Sequence, residues 1–126
     1  MGTHAMIGVY NKEDGTVTAS YCHYDGYVEG VGRTLVESYN TQYDADVVAK
    51  GGYISSLHDD YLETRIQSVH NDPAIQYDSV SNFLSEGADY ACADYLYLFD
   101  GQAWFFAPTY EKVGFEEVQI NLKKVA

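Results

Sequence analysis

Polar and apolar residues alternate near the start of the chain, which is typical of β-strands. Ile7 and Val9 alternate with Gly8 and Tyr10, and turn-forming residues follow at 11–15. A second strand is predicted over residues 16–24. Its alternation divides it into two faces, one with Val17, Ala19, Tyr21 and His23 and the other with Thr18, Ser20, Cys22 and Tyr24.

The pattern then changes to the period of a helix. One apolar stripe is formed by Val28, Val31, Leu35, Val36 and Tyr39. Two glycines, at positions 30 and 32, weaken the first turns of this helix. Either the regular helix begins near residue 31, or these glycines allow a close approach of the backbone.

Three more helices are predicted in the middle of the chain. The first covers about residues 45–50, with Val47 and Val48 facing inward, and ends at two glycines. The second begins after Asp59 and Asp60 and carries Leu62, Ile66 and Val69 at helical spacing. The third begins at about Ser79, a good N-cap residue, and runs through Phe83 and Leu84 to Gly87.

The last third returns to strand patterns. Residues 90–99 are nearly apolar on both faces, as in a central strand, and Asp100 and Gly101 predict a two-residue hairpin to a strand at 102–107. Val118, Ile120 and Leu122 predict a final strand. The order predicts one α+β domain over residues 6–126, with an antiparallel sheet of about five strands and three to four helices on one face. Residues 1–5 are interpreted as an expression-vector remnant, so His4 is left out of the site analysis.

Composition and charge narrow the classes of function. The chain has 126 residues, of which 46% are hydrophobic, so a disordered chain is excluded. A net charge of -12 argues against direct binding of a nucleic acid, and the apolar runs are too short to cross a membrane. Neither a cofactor nor a metal ion is predicted. The oligomeric state is left open.

The acidic residues concentrate in the second half of the chain. Residues 59–100 contain nine acids against one base, Arg65. This pattern indicates a negative face on the helical layer, most simply a solubilising surface. It also suits docking to a basic protein or mimicry of nucleic-acid phosphates. Thirteen tyrosines and Trp104 exceed what the core needs and favour an interface.

The stretch 21–35 is the densest in candidate chemistry. It does not fit a phosphate-binding loop, because Val31 stands where the second glycine is needed. Cys22 could be a nucleophile, but its neighbour His23 points to the opposite face of a regular strand. Its base could instead be His58 or His70, brought close by folding. The favoured interpretation is a sharp strand-to-helix turn. Cys22 and Cys92 are predicted to be reduced packing residues.

Metal binding is a weaker alternative for the histidines. His23 and His70 each precede an aspartate by two residues, at Asp25 and Asp72, and His58 is followed directly by two more. Imidazole and carboxylate can hold a divalent ion. Structural hydrogen bonds between the same groups are the more common outcome.

Three segments resemble a family of small proteins encoded by cyanophages and other tailed phages. They are YCHYDGYVEGVGRTL at residues 21–35, GYISSL at 52–57 and YLYLFDGQAW at 95–104. They match the family patterns Y-C-H-[WY]-D-G-Y-x-x-G-V-G-x-T-L, G-x-[IL]-S-S-L and Y-L-Y-x-[FW]-D-G-x-x-W. The resemblance implies a phage gene product that acts in the cytoplasm of the infected bacterium, and it implies no particular activity.

Two functions are therefore predicted, from different classes. The first is a non-enzymatic accessory protein that binds a host or phage macromolecule, most simply a basic protein, through an acidic, tyrosine-rich surface. The second is a small-ligand binder or enzyme with a site at Cys22, His23 and Asp25 and the turn from Gly26 to Gly32. The predicted binding residues are Tyr24, Asp25, Tyr27, Gly30, Gly32 and Trp104.

Overall fold

The computed structural model describes residues 3–109 and 122–125 and has an α+β architecture. Within these residues, six strands form one sheet and four α-helices accompany it. The strands are β1 (Ala5–Tyr10), β2 (Val17–Cys22), β3 (Ile75–Tyr77), β4 (Tyr95–Phe99), β5 (Trp104–Pro108) and β6 (Lys123–Lys124). The α-helices are α1 (Arg33–Ser38), α2 (Gln42–Lys50), α3 (Tyr61–Gln67) and α4 (Val80–Asp89).

The sheet is mixed rather than antiparallel, which corrects the prediction. Its strand order is β3-β2-β1-β4-β5-β6, and β1 pairs with β4 in parallel, with Ile7 opposite Tyr97. The other neighbours are antiparallel. Strand β3 was not predicted from the sequence, and neither was the crossover from β3 through α4 to β4. Such a helical crossover is what returns a chain parallel to an earlier strand.

Helices cover both faces of the sheet, so the prediction of a single helical face is wrong. On one face, the sheet packs with residues of α1 and α2, including Leu35 and Val48. On the other face, Phe83 and Ala88 of α4 pack against Met6 and Leu96. The cause lies in the central strands: β1 and β4 carry apolar side chains on both sides, and both sides must be covered.

Local patterns predict several elements correctly. The two faces of β2 alternate as expected, with Val17 and Ala19 in one core cluster and Cys22 in the other. Ser79 caps α4 by accepting a hydrogen bond from the Asn82 N–H, and Asp60 caps α3 in the same way. In α2, the buried residues are Ala45, Val48 and Ala49, whereas Val47 is only half-buried.

Near the C-terminal end, the observed bounds of the strands and of the hairpin turn differ from the predicted ones. Residues 90–92 form a 3-10 turn rather than the start of β4. The hairpin turn spans four residues, because Phe99 pairs with Trp104 and the Asp100 side chain accepts hydrogen bonds from the N–H groups of Gln102 and Ala103. In the predicted final strand, residues 118 and 120 lie outside the described residues, and β6 begins just after Leu122.

The glycine-rich stretch forms a tight turn between β2 and α1. Asp25 has a φ of 58°, and residues Val28–Gly32 form one π-helical turn that leads into α1. A Cβ at Gly30 would collide with the carbonyl oxygen of Asp25. The Tyr97 hydroxyl donates to the Gly26 carbonyl at 2.7 Å. These contacts account for the glycines by packing, as the favoured interpretation predicted.

Candidate functional site

A cleft lies where β2 ends. The segment after α2 runs beside the end of this strand, with the His23 N–H donating to the Ile54 carbonyl and the Tyr24 N–H donating to the Ser55 carbonyl. This pairing opens a cleft of about 690 Å³ next to the strand end. Its lining contains Tyr21, His23, Tyr24, Tyr53, Ser55, Ser56, His58, Gln67, Val69 and His70.

Aromatic rings in contact with one another form the wall of this cleft. The ring of His23 lies 4.6 Å from that of Tyr24, and Tyr53 meets His70 edge-on at 5.0 Å. Tyr21 joins the two pairs, because its ring lies 5.8 Å from that of Tyr53 and 5.9 Å from that of His23. These five rings are called the aromatic cleft cluster below. Rings supported in this way present large contact area with little freedom left to lose on binding.

The Tyr21 hydroxyl orients His23. Its oxygen lies 2.9 Å from Nδ1 of the imidazole. Burial, and then the neighbouring Tyr53 and Cys22, raise the pKa of Tyr21 to about 12, so its hydroxyl keeps its proton at neutral pH. The hydroxyl can therefore serve as the donor in this hydrogen bond to Nδ1.

His4 joins the same cluster, although the sequence analysis set it aside. Its ring stacks on His23 at 4.7 Å, and its Nδ1–H donates to the His23 carbonyl at 2.7 Å. Its backbone N–H donates to the Asp94 carboxylate. Whether residues 1–5 derive from a vector stays a prediction, but a chain without them would lose these contacts.

Cys22 lies outside the cleft. It is fully buried on the opposite side of β2 from His23, and its thiol donates to the Tyr24 carbonyl at 3.4 Å. Burial raises the pKa of the Cys22 thiol to about 12, so it is not a thiolate at neutral pH. Asp25 is exposed in the turn beyond. Cys22, His23 and Asp25, the alternative catalytic set, therefore do not form one site, because Cys22 is buried on the opposite side of the strand from His23 and Asp25 is exposed in the turn.

The histidines named from the sequence as distant partners do converge. His58 and His70 line the same cleft as His23, on the other side of the strand from Cys22. Sequence reasoning missed Tyr53 as a cleft residue, although the GYISSL motif contains it. Among the described residues, no group of three or more His, Cys, Asp or Glu side chains is arranged to hold a metal ion.

The predicted binding residues separate into exposed and buried groups. Tyr24 and Tyr27 are exposed, by 48% and 39%. Gly32 is buried against Tyr97, and Gly30 is held in the turn. Trp104 is only 1% exposed, and its indole N–H donates to the Tyr39 carbonyl. Its place in the core gives no support to a binding role for Trp104.

The acidic residues do not form one layer. Asp59, Asp60 and Glu63 lie at the start of α3, whereas Asp78 and Glu86 lie beside or on α4, on the opposite side of the sheet. The predicted single negative face is therefore divided, because the helices themselves are divided between two faces. Asp59 directly follows the cleft residue His58 in the sequence, and Asp72 lies two residues after the cleft residue His70.

Comparison with known proteins gives no match, since no protein-family model, curated protein or solved structure is significantly similar to this chain. The resemblance to phage proteins thus depends on its three motifs alone. Within the described part of the chain, no helix is long and apolar enough to span a membrane.

Proposed function

We propose that this protein is a non-enzymatic phage accessory protein that binds a macromolecule of the host or of the phage in the bacterial cytoplasm. The partner is a protein with a basic surface. The aromatic cleft cluster is the centre of the binding surface, and the acids at the start of α3 form its charged side. The phage context comes from the motif resemblance.

The observation that carries this proposal is the cleft with its wall of contacting rings. Tyrosine is enriched at protein interfaces because it combines a large apolar ring with a polar hydroxyl. Tyr24 and His70 are exposed in the cleft, and the ring of the buried Tyr53 packs edge-on against that of His70. The cleft can therefore receive an apolar or aromatic side chain of a partner.

Charge supports a basic partner. Neither of the ion pairs found in the described part of the chain, Arg33–Glu37 and Lys50–Asp46, includes Asp59, Asp60 or Glu63. Arg65 is the one base between residues 59 and 100, and its guanidinium donates to the carbonyls of Gly51 and Tyr53. None of these three acids forms an ion pair within the described residues, so their negative charge can attract a basic partner. The same field suits phosphate mimicry, a second form of macromolecular docking.

A small ligand is the second candidate occupant. The cleft volume of about 690 Å³ lies within the range of ligand pockets. Its lining combines rings with imidazoles and the hydroxyls of Ser55 and Ser56, which could orient a planar polar molecule.

Affinity capture from a bacterial lysate tests the main proposal when variants are compared. We expect wild-type protein to retain a basic protein that the double variant Tyr24→Ala/His70→Ala loses. The control is Tyr43→Ala, because Tyr43, at 77%, is the most exposed tyrosine among the described residues and lies on α2 outside the cleft. Equal retention by both variants would contradict a binding surface at the cleft.

A further inference from the structure

Helix α3 presents its apolar residues to solvent. Leu62 and Ile66 are each 67% exposed, and Val69, just beyond the helix, is 75% exposed. These three residues are called the apolar ridge. In the described residues, every exposed large aliphatic side chain belongs to it, since the other exposed large hydrophobic residues are tyrosines. Scattered exposed aliphatic residues are normal, but a stripe on one segment marks an interaction surface.

Hydrogen bonds on the other side of α3 fix this orientation. Thr64 is fully buried and its hydroxyl accepts from the His58 N–H at 2.9 Å. The Arg65 guanidinium donates to the Gly51 carbonyl at 3.0 Å and to the Ser68 hydroxyl at 3.2 Å. Turning the ridge inward would break the hydrogen bonds to His58 and Gly51, so the ridge faces outward as a stable feature of the fold.

The ridge adjoins both the acids and the cleft. Asp59, Asp60 and Glu63 lie on and just before the first turn of α3, beside Leu62. Val69 belongs to the ridge and also lines the cleft. The surface is thus apolar along its middle, acidic at one end and aromatic at the other.

We propose that the apolar ridge binds a basic amphipathic helix of the partner protein; this inference rests on the proposed function and names the segment that the partner supplies. Leu62 and Ile66 are one helical turn apart, a spacing that packs against aliphatic side chains on a second helix. Lysine or arginine on that helix would face the acids at the start of α3. A strand is the poorer fit, because α3 offers no free ladder of backbone groups to pair with.

A synthetic amphipathic peptide of leucine and lysine is the probe. We expect the double variant Leu62→Ser/Ile66→Ser to bind it about tenfold more weakly than wild type in fluorescence anisotropy. Tyr43→Ser is the control, since it also removes an exposed hydrophobic side chain but lies outside the ridge. A leucine–glutamate peptide of the same pattern should not bind. Equal affinity of wild type and the ridge variant for the lysine peptide would overturn the proposal.

Two other occupants of the ridge are outcomes of the same test. If a second copy of the chain covers it, sedimentation will show a dimer that the ridge variant abolishes. If another part of the same chain covers the ridge, a thiol reagent will react slowly with a cysteine introduced by Leu62→Cys in the monomer. The exposed Cys92 is removed by Cys92→Ser in this variant, so that it does not react in its place. Either result overturns the proposal, whereas a monomer with fast labelling at position 62 is expected.

The proposed function fails separately from this inference. Suppose that the Tyr24→Ala/His70→Ala variant loses the captured partner, whereas the ridge variant still captures it and still binds the peptide. The proposed binding function would then stand, and the proposal for the ridge would be wrong.

Discussion

The backbone around Gly30 leaves no room for a side chain, and the obstacle is itself backbone. A Cβ there would meet the Asp25 carbonyl, whereas a Cβ at Gly32 would meet the Tyr97 ring at 3.2 Å. A ring can shift by a few tenths of an ångström, but a carbonyl in a tight turn cannot move without changing the turn. Glycine is therefore required more strictly at position 30.

Valine substitutions test this difference. We expect Gly30→Val to lower the free energy of unfolding by about 3 kcal/mol and Gly32→Val by about 1–2 kcal/mol. Glu29→Val is the control, because Glu29 is exposed in the same turn and its replacement should change stability by less than about 0.5 kcal/mol. Chemical denaturation measures all three. Unchanged stability of Gly30→Val would show that the turn tolerates a side chain.

The two cysteines should differ in reactivity. The prediction that both are packing residues is wrong for Cys92, which is exposed, whereas Cys22 is buried. In the native protein we expect a thiol reagent to modify Cys92 quickly and Cys22 only after unfolding. Mass spectrometry of the labelled peptides distinguishes the two sites. Fast native labelling of Cys22 would restore it as a candidate nucleophile.

The buried thiol also predicts a loss of stability in alkali. The folded-state pKa of Cys22 is raised from 9.0 to about 12 by burial, so its contribution is fully present below pH 9. Above that pH the unfolded chain releases the proton and the folded chain does not, so the free energy of unfolding falls until about pH 12. Cys22→Ala should flatten this decline when denaturation is followed between pH 8 and about 11. An unchanged slope would mean that other groups cause it.

At the scale of elements, α3 shows what a periodic pattern can and cannot predict. The spacing of Leu62 and Ile66 correctly predicts a helix, and Asp60 correctly predicts its start, but the helix ends at Gln67, before Val69. The same pattern suggests that these apolar residues face the core. In the structure they face solvent, and Thr64 is the residue of α3 that is buried. Periodicity shows that apolar residues share a face but not what that face meets. Here the hydrogen bonds of Thr64 and Arg65 decide the direction.

Pairing between distant segments could not be predicted either, because a local pattern does not show which other part of the chain an element meets. The alternation in β2 and the cap at Ser79 are local and were correct. The parallel pairing of β1 with β4, the short strand β3 and the convergence of His23, His58 and His70 all join residues far apart in the chain. No local pattern specifies such pairs. The apolar character of residues 95–99 on both faces was the signal that two helical layers are present.

Arg65 connects α3 to the cleft and offers a test at this scale. Its guanidinium serves three acceptors, the carbonyls of Gly51 and Tyr53 and the Ser68 hydroxyl. We expect Arg65→Ala to lower the free energy of unfolding by about 2–3 kcal/mol, because the carbonyls lose charged donors. Arg33→Ala should cost less than about 0.5 kcal/mol, since Arg33 makes only an exposed pair with Glu37. Equal effects in thermal denaturation would show that α3 is not held by Arg65.

For the whole molecule, the excess of acids has two consequences of opposite sign. Nineteen acids against seven bases repel one another in the folded state, and salt screens this repulsion. Added salt should therefore raise the melting temperature of the free protein. If the acids near α3 attract a basic partner, the same salt should weaken the complex, chiefly by slowing association.

The association rate constant of the captured partner should be measured from low to high salt, because it reports directly on attraction between the acidic surface and a basic partner. We expect this rate to fall steeply while the free protein becomes more stable, so loss of the complex cannot be attributed to unfolding. A rate that does not change with salt would contradict a basic partner steered by the acidic surface.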